Sequence, residues 1–278
     1  MKRKKYNFAV INFFRVTEPY SGASEVSYYF FKNLPARKKK LFQYSDNLKK
    51  YKNVESFKIK NTPLQKLINL KKISRSVLKF LKNKKDTIII IEGASWAGYS
   101  YIIYKLLKSK LKKTKFIYHS HNVEYLLREK KGNLFITILT KYFEKFICTN
   151  FDIFTSVSKK DKREIKKIYN RKSVILSNGT EIKNLKSIKL KKFNFKYIFF
   201  CGSIEYKPNF LALSRLVMDI MPRVYENNKN IKLIVSGDNF IPFKEKFLIN
   251  AGFLKKKVFF EYLKSASLFI NPIEIGFG

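Results

Sequence analysis

Short apolar runs that stop at a glycine alternate with amphipathic segments along most of this chain. The run Thr87–Ile91 (TIIII) is followed by Glu92-Gly93, and the run Tyr197–Cys201 stops at Gly202-Ser203. An apolar run without alternation is typical of a strand that is covered on both faces. Strands of this kind, separated by helices, form a parallel sheet with helices on both sides. The pattern therefore predicts an α/β protein with doubly wound parallel sheets.

The individual elements follow from the same periodicities. The predicted strands are Phe8–Phe14, Thr87–Ile91, Phe116–Tyr118, Phe151–Val157, Val174–Leu176, Tyr197–Cys201, Ile231–Gly237 and Leu268–Ile270. The predicted helices are Glu25–Asn33, Leu64–Lys85, Tyr99–Leu111, Leu134–Ile147, Asp161–Tyr169, Asn209–Glu226 and Phe243–Leu254. Ser158 is placed to cap the helix that starts at Asp161. In the second helix, six apolar residues are expected to share a face: Leu64, Leu67, Ile68, Val77, Leu78 and Leu81.

A polar stretch without a period, KNLKSIKLKKFNFK, separates two series of strands and helices. It predicts an N-terminal domain over residues 1–180, a linker over 181–195 and a C-terminal domain over 196–278, with a cleft between the domains. In such sheets, ligands bind at the carboxyl ends of the strands. The residues expected there are Gly22, Gly93, His119, Gly202, Gly237 and Gly276.

The net charge of the chain is large, but it restricts the possible binding partners only weakly. Lys and Arg number 59 against 20 Asp and Glu, which gives a formal net charge of +39. Such a balance favours polyanions, either an anionic membrane surface or nucleic acid. The lysines are spread along the chain, however, and no basic–aromatic motif appears, which disfavours nucleic acid. A general compositional drift toward Lys, Asn, Ile, Phe and Tyr also explains the charge.

The two cysteines and the hydropathy pattern indicate the cellular compartment in which the protein is expected. Cys148 and Cys201 are far apart in apolar surroundings, which excludes a disulfide framework or a cysteine metal site. A reducing cytoplasm fits this, with the cytoplasmic face of the inner membrane as an alternative. The start MKRKKYNFAVINFF is interrupted by Asn7 and Asn12 and lacks a cleavage site, so it predicts a buried strand rather than a signal peptide. No apolar run is long enough for a transmembrane helix.

Four patches, in order along the chain, resemble motifs of the GT-B fold glycosyltransferases of family 4. They are RVTEPYSGASEV at Arg15–Val26, YHSHNVEYL at Tyr118–Leu126, SVSKKD with VILSNGTEI within Ser156–Ile182, and FCGSIEYKPN with NPIEIGFG at Phe199–Asn209 and Asn271–Gly278. The resemblance covers nearly the whole chain. It implies two Rossmann-like domains facing across a cleft. It also implies retaining, metal-independent transfer of a sugar from a nucleotide-sugar.

The chain also departs from that pattern. Ala23 stands where the family usually has a second glycine, and no glycine turn lies between Phe260 and Tyr262. The sequence stops at Gly278, just before the family's Thr/Lys element and the second glutamate of its E-x7-E pattern. The resemblance therefore implies an incomplete C-terminal domain and a truncated donor site.

The resemblance assigns donor-binding roles to residues at the glycine turns. Gly22 and Gly202 would let backbone N–H groups approach a diphosphate, with Ser203 beside the second turn. Lys207 would add positive charge near the leaving group. In the C-terminal motif, Glu274, Gly276 and Gly278 would open the donor loop. Alternatively, Gly22 and Gly202 are ordinary turn glycines, and Lys207 is one more solvated lysine.

His119 and His121 are the only histidines in the chain. The resemblance places a histidine at this position against the reaction centre, where it binds the sugar or deprotonates the acceptor. His121 belongs to the His-Asn-Val-Glu motif and is the preferred catalytic residue, with His119 as the alternative. Glu92 contacts the acceptor or is a simple strand-end carboxylate, and Glu124 caps or orients the following helix. No metal site is predicted, because no cysteine or carboxylate cluster adjoins the histidines along the sequence.

The sequence thus predicts a glycosyltransferase that moves a sugar to a cell-surface glycan or lipid-linked acceptor. Two alternatives remain. The chain is a catalytically inactive remnant of such an enzyme, or it is a basic nucleic-acid-binding protein. The donor sugar, the nucleotide base and the linkage do not follow from the sequence.

Overall fold

The computed structural model describes residues 5–19, 21–46, 49–58, 62–130, 132–179, 187–237 and 240–273. The chain divides near residue 181 into two compact units, which we call the N-terminal unit and the C-terminal unit. Within the described part of the chain, no helix combines the length and the apolar character that a membrane crossing requires.

Strands and helices alternate in both units. The strands are β1 Asn7–Asn12, β2 Lys38–Ser45, β3 Val54–Lys58, β4 Thr87–Glu92, β5 Lys115–Ser120, β6 Ile153–Ser156, β7 Val174–Ile175, β8 Lys196–Cys201, β9 Ile231–Ser236, β10 Leu248–Asn250 and β11 Leu268–Phe269. The helices are α1 Gly22–Asn33, α2 Pro63–Leu81, α3 Ala97–Lys108, α4 Glu124–Glu129, α5 Leu134–Asn150, α6 Lys159–Tyr169, α7 Lys207–Arg215, α8 Met221–Asn227 and α9 Lys256–Ser265. A π-helical turn, Leu216–Ile220, joins α7 to α8.

The N-terminal unit contains a parallel sheet in the order β3-β2-β1-β4-β5-β6-β7. The chain runs outward from β1 in one direction through β2 and β3, and then outward in the other direction from β4 to β7. The point of reversal therefore lies between β1 and β4, where Ile11 pairs with Ile91. Loops at the carboxyl ends of strands around such a switch point diverge and leave room for a ligand. This sheet confirms the predicted doubly wound α/β architecture.

Two apolar clusters cover the two faces of this sheet. One contains Ile89 and Ile91 of β4 and is covered by residues of α2, α3, α5 and α6. The other contains Ile88 and Ile90 of the same strand and is covered in part by Phe31 of α1. The run TIIII is continuous because both faces of β4 are buried.

The C-terminal unit contains a second parallel sheet, in the order β10-β9-β8-β11. Phe200 of β8 packs on one face with Leu213 of α7 and Leu216 of the π-helical turn. Phe199 of the same strand packs on the opposite face, where Phe259 of α9 covers it. Successive residues of β8 therefore serve two cores, as in the N-terminal unit.

Several element predictions were wrong in detail. The helix predicted at Phe243–Leu254 is absent, and this stretch holds β10, in which Leu248 pairs with Leu233. Gly252 in the same stretch has a φ of +64°, which a helix does not allow. The helix α9 and the strands β2 and β3 were missed. Lysines at the start of β2 and within α9 obscure the apolar pattern there.

The buried face of α2 also differs from the prediction. Leu64 and Ile68 are exposed, whereas the helix buries Leu70 and Ile73 against the sheet. Val77 and Leu81 are buried as predicted, and Leu67 and Leu78 pack at the edge of the same cluster. From Leu70 onward, the residues of α2 that contact the sheet are spaced by three or four positions. The first turn of the helix does not pack against the sheet, so Leu64 stays exposed.

The helix predicted at Asn209–Glu226 is continuous but not regular. Pro222 lies in the first turn of α8 and has no N–H to donate. The π-helical turn Leu216–Ile220 immediately precedes it. A proline ring clashes with the carbonyl one turn earlier in a regular helix, and a wider turn relieves this clash.

Candidate functional site in the N-terminal unit

A buried carboxylate and two imidazoles meet at the carboxyl ends of β4 and β5. Glu92 is the last residue of β4 and pairs in register with His119 of β5. His121 follows one residue after β5 ends, and its Nε2 lies 2.7 Å from Oε2 of Glu92. We call Glu92, His119 and His121 the strand-end cluster. It lies beside the switch point of the sheet, where a ligand site was expected.

Packing and hydrogen bonding hold His119 in one orientation. Its ring stacks on Phe30 of α1 with 5.1 Å between centroids, and it lies 4.9 Å from the ring of His121. Nδ1 lies 2.7 Å from Oγ1 of Thr155, a hydroxyl whose own proton points to the Tyr118 carbonyl. Nδ1 therefore donates to Thr155, and Nε2 carries the lone pair. Burial lowers the pKa of His119 below its ordinary value, so the ring is neutral at pH 7.

Glu92 is ionised although it is fully buried. Burial opposes its charge and on its own would raise the pKa. The interaction with His119 and the hydrogen bond from His121 outweigh burial and bring the pKa below its ordinary value. The hydroxyl of Ser27, on α1, donates to the same oxygen, Oε2, at 3.1 Å. The other oxygen, Oε1, is buried and has no hydrogen-bond partner among the described residues.

A second buried carboxylate supports the loop that carries His121. Glu144 of α5 accepts the backbone N–H groups of Glu124 and Tyr125 at 2.8 and 3.0 Å, and the hydroxyl of Tyr169 at 2.8 Å. Burial raises the pKa of Glu144 to about 7. Because Glu124 lies three residues after His121, these bonds fix the end of the histidine loop.

Glu124 contacts two helices: the following helix α4, as the sequence predicted, and also α3. Its Oε2 accepts the backbone N–H of Ala97, the first residue of α3, at 2.6 Å. Its Oε1 accepts from Arg128 at 2.8 Å. Glu124 therefore ties the segment after Glu92 to the segment after His121. No local sequence pattern indicates this tie or the role of Glu144, because both depend on which helices lie side by side.

A cavity of about 700 Å³ borders the strand-end cluster on the α1 side of the sheet. His119 and Thr155 form part of its polar lining, while Ile90 and Ile117 of the sheet and Phe30 of α1 form part of its apolar lining. Space thus reaches the buried histidine from one side.

Gly22 is the first residue of α1 and is exposed. A Cβ placed on it would meet nothing within 4 Å, so packing within the protein does not require glycine there. The helix start is instead satisfied by Ser21, whose side chain accepts the N–H of Ser24.

Candidate donor turn in the C-terminal unit

Gly202 and Gly237 end the neighbouring strands β8 and β9, and their backbones approach closely. A Cβ on Gly237 would lie 2.3 Å from the carbonyl oxygen of Gly202, and Gly237 has a φ of +148°. A Cβ on Gly202 would lie 2.5 Å from Nδ2 of Asn209. The Asn209 side chain can move, but Gly202 also has a φ of +156°, so the backbone favours glycine at both strand ends.

The sequence suggested that backbone N–H groups of this turn approach a diphosphate, but the N–H of Gly202 is already bonded within the protein. This N–H donates to the Ser236 carbonyl at 2.9 Å and extends the pairing of the two strands. The carbonyl of Ser203 accepts from the side chain of Asn209, which fixes the turn. Lys207 is exposed and is the first residue of α7. Glu274, Gly276 and Gly278 lie outside the described residues.

No protein-family model and no curated protein sequence matches this chain. Solved structures do resemble it. An α,α-trehalose-phosphate synthase (UDP-forming) from Burkholderia xenovorans, in complex with glucose-6-phosphate, has a TM-score of 0.64 at 9% identity and covers 93% of this chain and 77% of its own. A trehalose-6-phosphate structure from E. coli, bound with UDP-2-fluoro glucose, has a TM-score of 0.60 at 10% identity. It covers 94% of this chain and 77% of its own.

The S. aureus MnaA–UDP co-structure has a TM-score of 0.54 at 9% identity, and covers 95% of this chain and 73% of its own. At these identities the likeness concerns the fold. The chain has the GT-B fold, built from Rossmann-like units with parallel sheets and flanking helices.

Proposed function

We propose that this chain is a family 4 glycosyltransferase that moves a sugar, with retention, from a nucleotide-sugar to a hydroxyl of a cell-surface glycan or lipid-linked acceptor. The observation that carries the proposal is the strand-end cluster, an ionised buried Glu92 bonded to His121 beside the switch point of a GT-B sheet. The fold supports it, as do the UDP-2-fluoro glucose and the glucose-6-phosphate named for two similar structures.

The N-terminal unit would hold and activate the acceptor. Nε2 of His121 donates to Glu92, so Nδ1 carries the lone pair and accepts the proton of the acceptor hydroxyl. The carboxylate of Glu92 then stabilises the imidazolium that forms, as the buried acid of a catalytic triad does. His119 is neutral and offers the lone pair of Nε2 to a second sugar hydroxyl.

The C-terminal unit would hold the donor. The close approach of Gly202 and Gly237 leaves no side chain at the ends of β8 and β9, so a diphosphate can reach the backbone and the start of α7. Lys207, at the first position of α7, adds a positive charge for the leaving group.

The acceptor oxygen bonds to the anomeric carbon on the face from which the phosphate oxygen leaves, so the configuration is retained while the bond between that carbon and the phosphate oxygen breaks. The electron pair leaves with the nucleoside diphosphate, and the acceptor proton passes to His121.

The test combines binding with turnover. UDP-, GDP- and ADP-sugars are titrated into the chain by calorimetry, and release of the nucleoside diphosphate is then measured with glycan and lipid-linked acceptors. His121→Asn should lower kcat by at least ~100-fold, the range of general acid–base catalysis, with donor affinity changed by less than about threefold.

Glu55→Gln is the matched control, because this β3 carboxylate pairs with Lys40 at the edge of the sheet, away from the cluster. It should leave turnover unchanged. Failure of every nucleotide-sugar to bind, or full turnover by His121→Asn, would overturn the proposal.

A further inference from the structure

The strand-end cluster brings together three side chains that are also metal ligands. One ligand atom from each of Glu92, His119 and His121 lies within 4.8 Å of the other two, and all three residues are buried. The sequence predicted no metal site because no cysteine or carboxylate cluster completes one beside the histidines along the chain. The pairing of β4 with β5 supplies a carboxylate, since Glu92 and His119 are register partners.

We infer that the strand-end cluster is a binding site for a divalent transition-metal ion, with Zn²⁺ as the ion that its ligands suit best. Two imidazoles and one carboxylate match the ligand types of zinc sites with three protein ligands and an open fourth position. Ca²⁺ and Mg²⁺ prefer oxygen ligands and would gain little from two imidazoles.

The unpartnered oxygen of Glu92 is an independent sign of a missing cation. Oε1 is buried and accepts no hydrogen bond from the described residues, whereas Oε2 accepts from both Ser27 and His121. A buried carboxylate oxygen without a partner costs free energy, and such oxygens are rare in folded proteins. A cation bound to this oxygen would satisfy it.

The surroundings of the cluster resemble the outer shell of a metal site. Thr155 binds Nδ1 of His119 and so leaves the lone pair of Nε2 for a metal. Ser27 holds the carboxylate of Glu92 from the opposite element, α1. Such second-layer bonds fix the tautomer and the orientation of metal ligands.

An ion also has a way in. The cavity of about 700 Å³ reaches His119, and His121 is 9% exposed. The ion would displace the proton that His121 shares with Glu92, and this proton goes to solvent. Because the ion would occupy the nitrogens that the proposed function assigns to the acceptor, the metal-bound and acceptor-bound states exclude each other.

Calorimetry with ZnCl₂ alone tests the site on the full chain, purified without a polyhistidine tag and treated with a chelator. The expected result is one ion per chain with a dissociation constant in the micromolar range or below. Co²⁺ then reports the ligands by absorption. Because the chain has only two histidines, imidazole ligation can come only from this cluster.

Glu92→Gln and His121→Asn should each weaken Zn²⁺ binding by at least ~10-fold, with native circular dichroism. Ser27→Ala removes only a hydrogen bond to the ligand Glu92 and should weaken Zn²⁺ binding by about 10-fold. This variant tests the site if Glu92→Gln or His121→Asn fails to fold. Glu55→Gln and Cys201→Ser should bind like the wild type.

Absence of saturable Zn²⁺ binding by the wild type would overturn the inference, as would wild-type affinity in the cluster variants. A Co²⁺ spectrum with thiolate character that disappears in Cys201→Ser would do the same. No sugar or nucleotide is present, so these outcomes are independent of whether the chain transfers a sugar.

Discussion

At the scale of single residues, buried carboxylates organise the N-terminal unit. Glu92 orders the histidines, and Glu144 binds the backbone that follows them. The two differ in environment. Glu92 has imidazoles beside it and stays ionised, whereas burial raises the pKa of Glu144 to about 7. Two identical side chains thus titrate in different pH ranges because their neighbours differ.

Glu144 makes stability depend on pH in a defined direction. Its folded-state pKa of about 7 lies above the ordinary value of 4.5, so the folded state holds the proton more tightly than the unfolded state. This group therefore favours folding below about pH 4.5, and that contribution is lost as the pH rises to about 7. We expect the free energy of unfolding of the wild type to fall by about 3 kcal/mol relative to Glu144→Gln across this range.

Denaturant unfolding followed by Trp96 fluorescence measures this difference, since Trp96 is the only tryptophan and bonds to Thr140 on the helix that carries Glu144. Glu164→Gln, on α6, removes one negative charge elsewhere and controls for net charge. Parallel pH profiles for the wild type and Glu144→Gln would contradict the prediction.

At the scale of elements, the ends of β8 and β9 depend on the absence of side chains. Gly237→Ala would place a Cβ 2.3 Å from the Gly202 carbonyl oxygen, in a backbone conformation that favours glycine. We expect a loss of about 1–3 kcal/mol in unfolding free energy and a lower Tm in thermal denaturation followed by circular dichroism.

Gly22→Ala is the matched control, because a Cβ there meets nothing and alanine favours a helix. Its Tm should equal or slightly exceed that of the wild type. If both variants had the same Tm, the close approach of the two strands would not be the constraint that the geometry indicates.

Elements were predictable where one local pattern dominated. The run TIIII identified β4, and Ser158 was confirmed as the cap of α6, where it accepts the N–H of Asp161. The stretch that holds β10 was mistaken for a helix because three apolar residues in a row, Phe247–Ile249, fit either structure. Pairing of Leu248 with β9 decides the outcome, and no pattern within the segment contains that information.

At the scale of the whole molecule, net charge acts against compactness. The formal charge of +39 leaves most lysines without an acidic partner, since acids number only 20. Like charges repel over about 30 Å at 0.01 M salt but over only about 10 Å at 0.1 M. Screening should therefore favour the folded chain.

We expect the Tm to rise by several degrees between about 0.01 M and about 0.3 M KCl, measured by differential scanning calorimetry. NaCl should give the same curve, because screening depends on ionic strength rather than on the ion. A Tm that stays constant or falls with salt would show that charge repulsion contributes little to the stability.

The sequence by itself determined the class of fold and the residues worth testing. Apolar runs and their glycine ends are local features, so they identified parallel strands and placed Glu92, His119 and His121 near strand ends. Their contact is not local. Glu92 and His121 are separated by 29 positions, and they meet at 2.7 Å only because β4 pairs with β5 in one register.

The tertiary structure also decided the roles of Glu144, Ser27 and Thr155, which reach the site from three further elements. The order of strands and the placement of helices over them arise from burial across the whole unit. A side chain's neighbours across a sheet are therefore a property of the assembled fold and not of the segment that carries it.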